Sequence, residues 1–138
     1  MSKKDLLYHL HNDIYCRLKP SSVDGVGIFA IRNIPLGIDP FKSLLKTNYY
    51  SIRISELTSL PEEVYKLVSD YCAADDEYFN IPSYGFNPLD ILYYINHSKT
   101  PNVITKDGTT FYTLRDILKG EELTVDFRTY HDRDEKYL

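Results

Sequence analysis

Apolar and polar residues alternate in short runs along most of this chain, and that two-residue period predicts strands more often than helices. Ile14-Tyr15-Cys16-Arg17-Leu18 and Ile28-Phe29-Ala30-Ile31-Arg32 are rich in β-branched and aromatic residues. The turn-forming stretch 20–27 lies between them, so they read as an antiparallel pair. Asn33-Ile34-Pro35-Leu36-Gly37 marks the next turn, and residues 38–54 carry no decisive period. At Ser59 the period changes. Ser59-Leu60-Pro61-Glu62 has the form of a capping box with proline in the first turn, and Val64, Leu67, Val68 and Tyr71 follow at helical spacing. The spacing predicts a helix of about 12 residues. Asn87-Pro88 opens a second short helical turn, with Asp90 near its start and Leu89, Leu92 and Ile95 facing inward. Val103-Ile104-Thr105 and Thr110-Phe111-Tyr112-Thr113-Leu114 flank an Asp107-Gly108 turn and predict a hairpin. After the Lys119-Gly120 turn, Leu123-Thr124-Val125-Asp126-Phe127 alternates as a last strand, and residues 128–138 form a mostly charged tail. The expected fold is mostly β with one or two short helices, built as one domain over residues 1–138.

Composition narrows this picture. A chain of 138 residues with 43% hydrophobic content supports one core and not two. No apolar run approaches bilayer length, and the N-terminal residues lead into no signal core, so a soluble, intracellular protein without a membrane partner is expected. Cys16 and Cys72 are expected as reduced core thiols, and no metal is expected, because His9, His11 and His131 are far in sequence from His97. The net charge of −4 argues against direct nucleic-acid binding and suits a basic peptide partner. Thirteen tyrosines suit half-buried sheet packing, with a few available to line an aromatic channel. A dinucleotide fold is disfavoured, since no Gly-x-Gly-x-x-Gly follows a strand and opens a helix.

Three short motifs carry the chemistry: Gly25-Val26-Gly27-Ile28-Phe29, Asn96-His97-Ser98-Lys99-Thr100-Pro101-Asn102, and Gly120-Glu121-Glu122-Leu123-Thr124-Val125-Asp126-Phe127. Taken singly, the glycine pair reads as a tight turn, His97 as a core histidine holding its loop, Asn102 as a loop-closing amide, and Glu121-Glu122 as a solvated turn or a partner for a substrate cation. The Asn96-His97-Ser98 glycosylation sequon is read as accidental. In this order, the three motifs resemble the signature of the SET-domain family of S-adenosylmethionine-dependent protein lysine methyltransferases, over residues 14–130. The resemblance implies a fold of several small curved sheets in which the last strand region threads beneath a preceding loop as a pseudoknot. It implies that the turn at Gly25, Val26, Gly27, Ile28 and Phe29 meets the methionine portion of the cofactor. Asn96 would bond the cofactor's amino-acid end and the backbone of His97 the adenine edge. The cysteine-rich zinc segment that follows many chromatin-directed SET domains is missing, which implies no structural zinc.

Methyl transfer from a sulfonium to an amine is an in-line displacement, needing a neutral lysine nitrogen, close approach and a dry site. Aromatic walls and the nearby sulfonium lower the ammonium pKa. Family members end the last motif in a tyrosine whose hydroxyl helps aim the nitrogen; this chain has Phe127. Losing such a preorganised polar group costs roughly 10²- to 10³-fold in rate. Tyr130, three residues on, is placed to substitute, and Tyr94, Tyr49 and Tyr50 are further sources of hydroxyls. Val125 falls where other members carry an aromatic residue that limits how many methyl groups fit. The expected substrate is a basic protein or peptide, with histones among the candidates, and a homodimer is one way for so small a domain to complete its substrate groove. The alternative is a cofactor-binding pseudoenzyme or peptide-binding module.

Overall fold

A reciprocal cap starts the chain's first helix. Ser2 Oγ accepts from the Asp5 N–H and the Asp5 carboxylate accepts from the Ser2 N–H, each at 3.1 Å. These bonds launch α1 (Lys3–Asn12), which sequence periodicity does not reveal because the helix buries none of its residues. In the computed structural model, which describes residues 2–45 and 48–129, the remaining architecture is a set of small sheets. The first two strands, β1 (Cys16–Pro20) and β2 (Val26–Ala30), pair antiparallel with Cys16 opposite Ala30. β3 (Tyr49–Arg53) lies within the stretch that had no period, and pairs with β4 (Tyr78–Pro82).

The helical segments lie between these two strands, in α2 (Ile54–Leu57) and α3 (Glu62–Tyr71). The Ser59 capping box is not used: the N-cap of α3 is Pro61, which makes no side-chain cap bond. Val68 is buried among Leu57, Cys72, Ala74 and Phe79, whereas Val64 and Leu67 remain exposed. The turn expected at Asn87-Pro88 forms later, as a 3₁₀ turn over Ile91–Tyr94 that Asp90 caps by accepting from the Leu92 N–H. This turn runs into β5 (Asn96–His97). The hairpin forms as read, from β6 (Val103–Thr105) and β7 (Phe111–Thr113), with Gly108 at φ 76° and Asp107 Oδ1 accepting from the N–H groups of Thr109 and Thr110. The last strand, β8 (Glu122–Val125), ends before a short 3₁₀ turn at Phe127–Thr129, and Tyr130 with the rest of the charged tail lies outside the described residues.

β8 runs between β2, to which it is antiparallel, and β5, to which it is parallel, giving the order β1-β2-β8-β5. The loop that follows β5 is fastened over it. Ser98 N–H donates to Val125 O at 3.0 Å, and the buried Asn102 side chain donates to Glu122 O at 2.8 Å while accepting from Thr124 N–H at 2.9 Å. An inner strand held by both neighbours and by a loop, in small sheets with few short helices, is the arrangement that the resemblance implied. Beneath it Ile28, Leu123, Val125, Ile95, Val103 and Phe111 form the main core. Both cysteines are free thiols, and burial pushes each up to about 12. No helix among the described residues is long and apolar enough to cross a membrane.

Asn102→Ala strips two backbone partners from a buried site and is expected to cost about 2–4 kcal/mol, since each orphaned group costs about 1–3 kcal/mol. Urea denaturation measures this. An unchanged midpoint would show that the loop does not depend on Asn102.

Candidate functional site

The parallel pairing of β5 with β8 places Asn96 opposite Thr124 and brings its amide to the glycine turn. Gly25 is required there by its backbone, at φ 45°, with no atom within 4 Å of the place a Cβ would take. Gly27 is required for a different reason. A Cβ on Gly27 would collide with Glu122 Oε2 and lie 2.8 Å from Glu122 Cδ and 3.0 Å from Asn96 Nδ2. Hydrogen at this position admits the carboxylate of Glu122, which accepts from Ser21 Oγ at 2.7 Å and from Asn96 Nδ2 at 2.8 Å. Glu122 therefore does not belong to a solvated turn. On β8 it points to the face opposite the core-directed Leu123 and Val125, where Gly27 lies, while Glu121, just before the strand, pairs with Arg115 at 3.1 Å.

Two cavities meet around this framework. One, of about 370 Å³, is walled by Asp24, Gly25, Val26, Lys66, Tyr94 and Asn96. The other, of about 290 Å³, is walled by Tyr49, Asn80, Leu92, Asp107, Gly108 and Phe111. Five residues line both: Asp70, Tyr71, Tyr93, Ile95 and Phe127. Phe127 is thus part of the boundary between them. Its ring lies 5.5 Å from that of His97, and its N–H donates to His97 Nδ1 at 3.0 Å. The accepting Nδ1 carries no proton, so the imidazole holds the start of the 3₁₀ turn by its lone pair. The Asp126 carboxylate is 3.8 Å from the same nitrogen, too far for a hydrogen bond. It is held down at about 2 chiefly by the Arg128 side chain.

The expected site residues are distributed unevenly over this framework. Of the glycine-turn residues, Gly25 and Val26 reach the first cavity; Gly27 faces Glu122, Ile28 is in the core, and Phe29 lies under the Lys19 ammonium. Asn96 lines the first cavity, whereas the side chain of His97 supports Phe127. Tyr94 belongs to the first cavity and stacks edgewise on Tyr71 at 5.6 Å. Tyr49 lines the second cavity, but Tyr50, its neighbour on β3, points to the opposite face and is exposed. Val125 is seated in the core and lines neither cavity. Tyr130 lies outside the described residues.

Tyr71, Tyr93 and Phe111 are the aromatic wall residues not expected in the site from the sequence. The 3₁₀ turn gives Tyr93 a place in both cavities, and burial, then its contact with Tyr49, pushes its phenol above the ordinary range. Tyr49 is pushed up as well, first by burial. Both phenols therefore stay protonated at neutral pH and can orient an amine without acting as its base. Among the described residues no group of three or more His, Cys, Asp or Glu side chains could hold a metal ion.

Gly27→Ala is expected to push the Glu122 carboxylate off Ser21 and Asn96, and so to lower the melting temperature by several degrees, as a loss of about 1–2 kcal/mol does in a domain of this size. Calorimetry checks this; an unshifted transition would mean that the carboxylate moves aside freely.

Comparison with known proteins follows this geometry. The SET domain family matches residues 25–128. A solved structure from Plasmodium falciparum, provisionally described as a histone methyltransferase, is similar at 22% identity over 83% of this chain and 93% of that one, with a TM-score of 0.49. No curated protein sequence matches. The family match extends from the glycine turn through Asn96 to Phe127, over well more than half the chain, and the protein therefore belongs to the SET-domain family, whose members are protein lysine methyltransferases.

Proposed function

We propose that this protein is an S-adenosylmethionine-dependent lysine N-methyltransferase acting on a basic protein segment. The observation that carries the reading is the pair of cavities with a common aromatic wall at Tyr71, Tyr93 and Phe127. Two reactants entering from opposite sides would meet there, which is the geometry a direct displacement needs. The cavity at Gly25, Val26 and Asn96 suits the cofactor, which would supply the transferable methyl on a sulfonium. The second cavity suits a lysine side chain. Tyr49, Tyr93, Leu92 and Phe111 exclude water from the amine and favour its neutral form. The phenol oxygens of Tyr49 and Tyr93 accept its N–H groups, which aims the lone pair along the channel. Asp107 adds a carboxylate to the second cavity, in keeping with a basic peptide, histone tails among the candidates, whereas that of Asp70 is paired with Lys66 at 2.8 Å.

Phe127 favours a second reading. It stands on the boundary between the cavities and offers no hydroxyl to the reacting atoms, so a protein that binds cofactor and peptide without efficient transfer fits the same walls. Transfer of labelled methyl to a pool of basic proteins separates the two.

Under the enzyme reading, wild type transfers label, Phe127→Tyr raises the rate by up to roughly 10²-fold, and Tyr93→Phe lowers it by about tenfold or more. Tyr130→Phe, measured alongside, tests the remaining source of a hydroxyl. Wild type with no transfer above background, and no response to any of the three substitutions, would establish the pseudoenzyme provided that cofactor still binds.

S-adenosylhomocysteine at 100 times its dissociation constant is expected to stabilise the folded chain by about 2.7 kcal/mol, visible as a rise in melting temperature. Val26→Asp, at the wall of the first cavity, should weaken that rise. Folded wild-type protein with no shift at millimolar ligand would overturn the assignment of this cavity.

A further inference from the structure

Four of the five residues common to both cavities carry no charge. Ile95 and Phe127 are apolar, and burial pushes the phenols of Tyr71 and Tyr93 up, so both stay protonated at neutral pH. The fifth is Asp70, whose carboxylate is the one charged group on the common wall among the described residues. Lys66 reaches it from one turn earlier on α3, and its Nζ donates to Asp70 Oδ2 at 2.8 Å. Lys66 lines the first cavity and not the second. The hydrogen bond to Asp70 holds the Lys66 ammonium above its ordinary range, so it is charged at neutral pH.

A bare carboxylate at this place opposes the chemistry proposed above. An amine attacks only through its lone pair, so the substrate ammonium first gives its proton to water. A negative charge nearby favours the ammonium, holding the substrate as an ion pair and slowing it as a nucleophile. A carboxylate already matched by a cation exerts little net field. The helix makes this match locally: residues 66 and 70 share one face of α3, whereas Val68 is turned into the core with Leu57, Cys72 and Phe79. The other ionisable groups around the pair are Glu63 on α3, Asp24 in the loop before β2, Tyr94 beside Tyr71, and Asp107 and Tyr49 at the second cavity. None of these lines both cavities, and Asp107 is engaged by the N–H groups of Thr109 and Thr110.

We propose that Lys66 is a positioning residue that neutralises Asp70 on the wall between the cavities, so that the lysine channel admits the neutral amine instead of trapping the ammonium. The inference rests on the substrate reading above and adds to it the pair that sets the protonation state of the bound lysine. Both side chains keep contact with solvent, so salt screens the effect.

The test compares, by isothermal calorimetry, two basic peptides that differ only at the target position: lysine in one, its uncharged counterpart norleucine in the other. The readout is the ratio of affinities, lysine over norleucine, and needs no turnover. Lys66→Met keeps the aliphatic stem, removes the charge and is expected to raise the ratio about threefold or more at low salt. Asp70→Asn, which leaves Lys66 unpaired, is expected to lower it. The double substitution restores the charge balance and should return the ratio to within about twofold of wild type. At about 1 M salt the differences should shrink. Under turnover, Lys66→Met should lower kcat and KM together and move the pH–rate profile up by about half a unit, because the bound ammonium keeps its proton to higher pH.

An unchanged ratio in Lys66→Met overturns the proposal, as does a rise in Asp70→Asn. Equal losses for both peptides would reduce the pair to a contact that stabilises α3, and overturn it as well. So would a double substitution that keeps the full shift of Lys66→Met, since the shift would then not come from Asp70. A folded wild type that binds neither peptide overturns the assignment of the second cavity, and this inference with it.

Discussion

The structure depends on one inserted strand. β8 has β2 on one side and β5 on the other, and Asn102 clamps the loop after β5 onto its backbone through two bonds from a buried side chain. Each neighbour comes from a distant part of the sequence, so closure of the core and assembly of the site are one event. Leu123 and Val125 point from β8 into the core, beside Ile28 and Ile95. Glu122 points from the same strand to the glycine turn. A strand that failed to insert would leave Ile28, Val103 and Ile117 exposed, and Asn96 would lose both its pairing to Thr124 and its partner Glu122.

The site inherits its rigidity from this insertion. Asn96 is fixed by backbone pairing and by acceptors drawn from the 21–26 loop and from β8. Phe127 is fixed by His97, which sits one residue further along β5. The same two-residue strand therefore orients a wall of the first cavity with one side chain and the boundary aromatic with the next. The boundary is apolar at Phe127, and the neighbouring phenols, Tyr49 and Tyr93, are kept protonated by burial.

Much of this was legible in the sequence, because short motifs in fixed order mark positions that the fold brings together. The β1–β2 pair, the Asp107-Gly108 hairpin and the last strand follow from alternation and turn chemistry alone. The threaded sheet order does not, since no local pattern says that β8 lies between β2 and β5; only the resemblance supplied it. Helix α1 was missed for a physical reason: its cap is written in Ser2 and Asp5, but with no buried face it has no core-directed stripe for periodicity to find. α3 was found with the wrong start, because Pro61 replaced Ser59 at its cap. Glu122 was misread because two adjacent glutamates look like a solvated turn until the fold brings the glycine turn and Asn96 against the non-core face of β8. Tyr93 was passed over for Tyr94 because neighbours in a 3₁₀ turn face different directions, which only the turn's placement decides. Tyr50 failed through the same alternation that admitted Tyr49.

The central claim is that two ligands enter separate cavities that meet at Phe127. Backbone amide spectra of isotope-labelled protein test it directly, with S-adenosylhomocysteine and a lysine-containing basic peptide added separately. The cofactor product should shift the resonances of Gly25, Val26 and Asn96, the peptide those of Tyr49, Gly108 and Thr109, and each should shift Tyr93 and Phe127. Both ligands perturbing one set of residues, or a peptide that leaves Phe127 and Tyr93 untouched, would contradict the account.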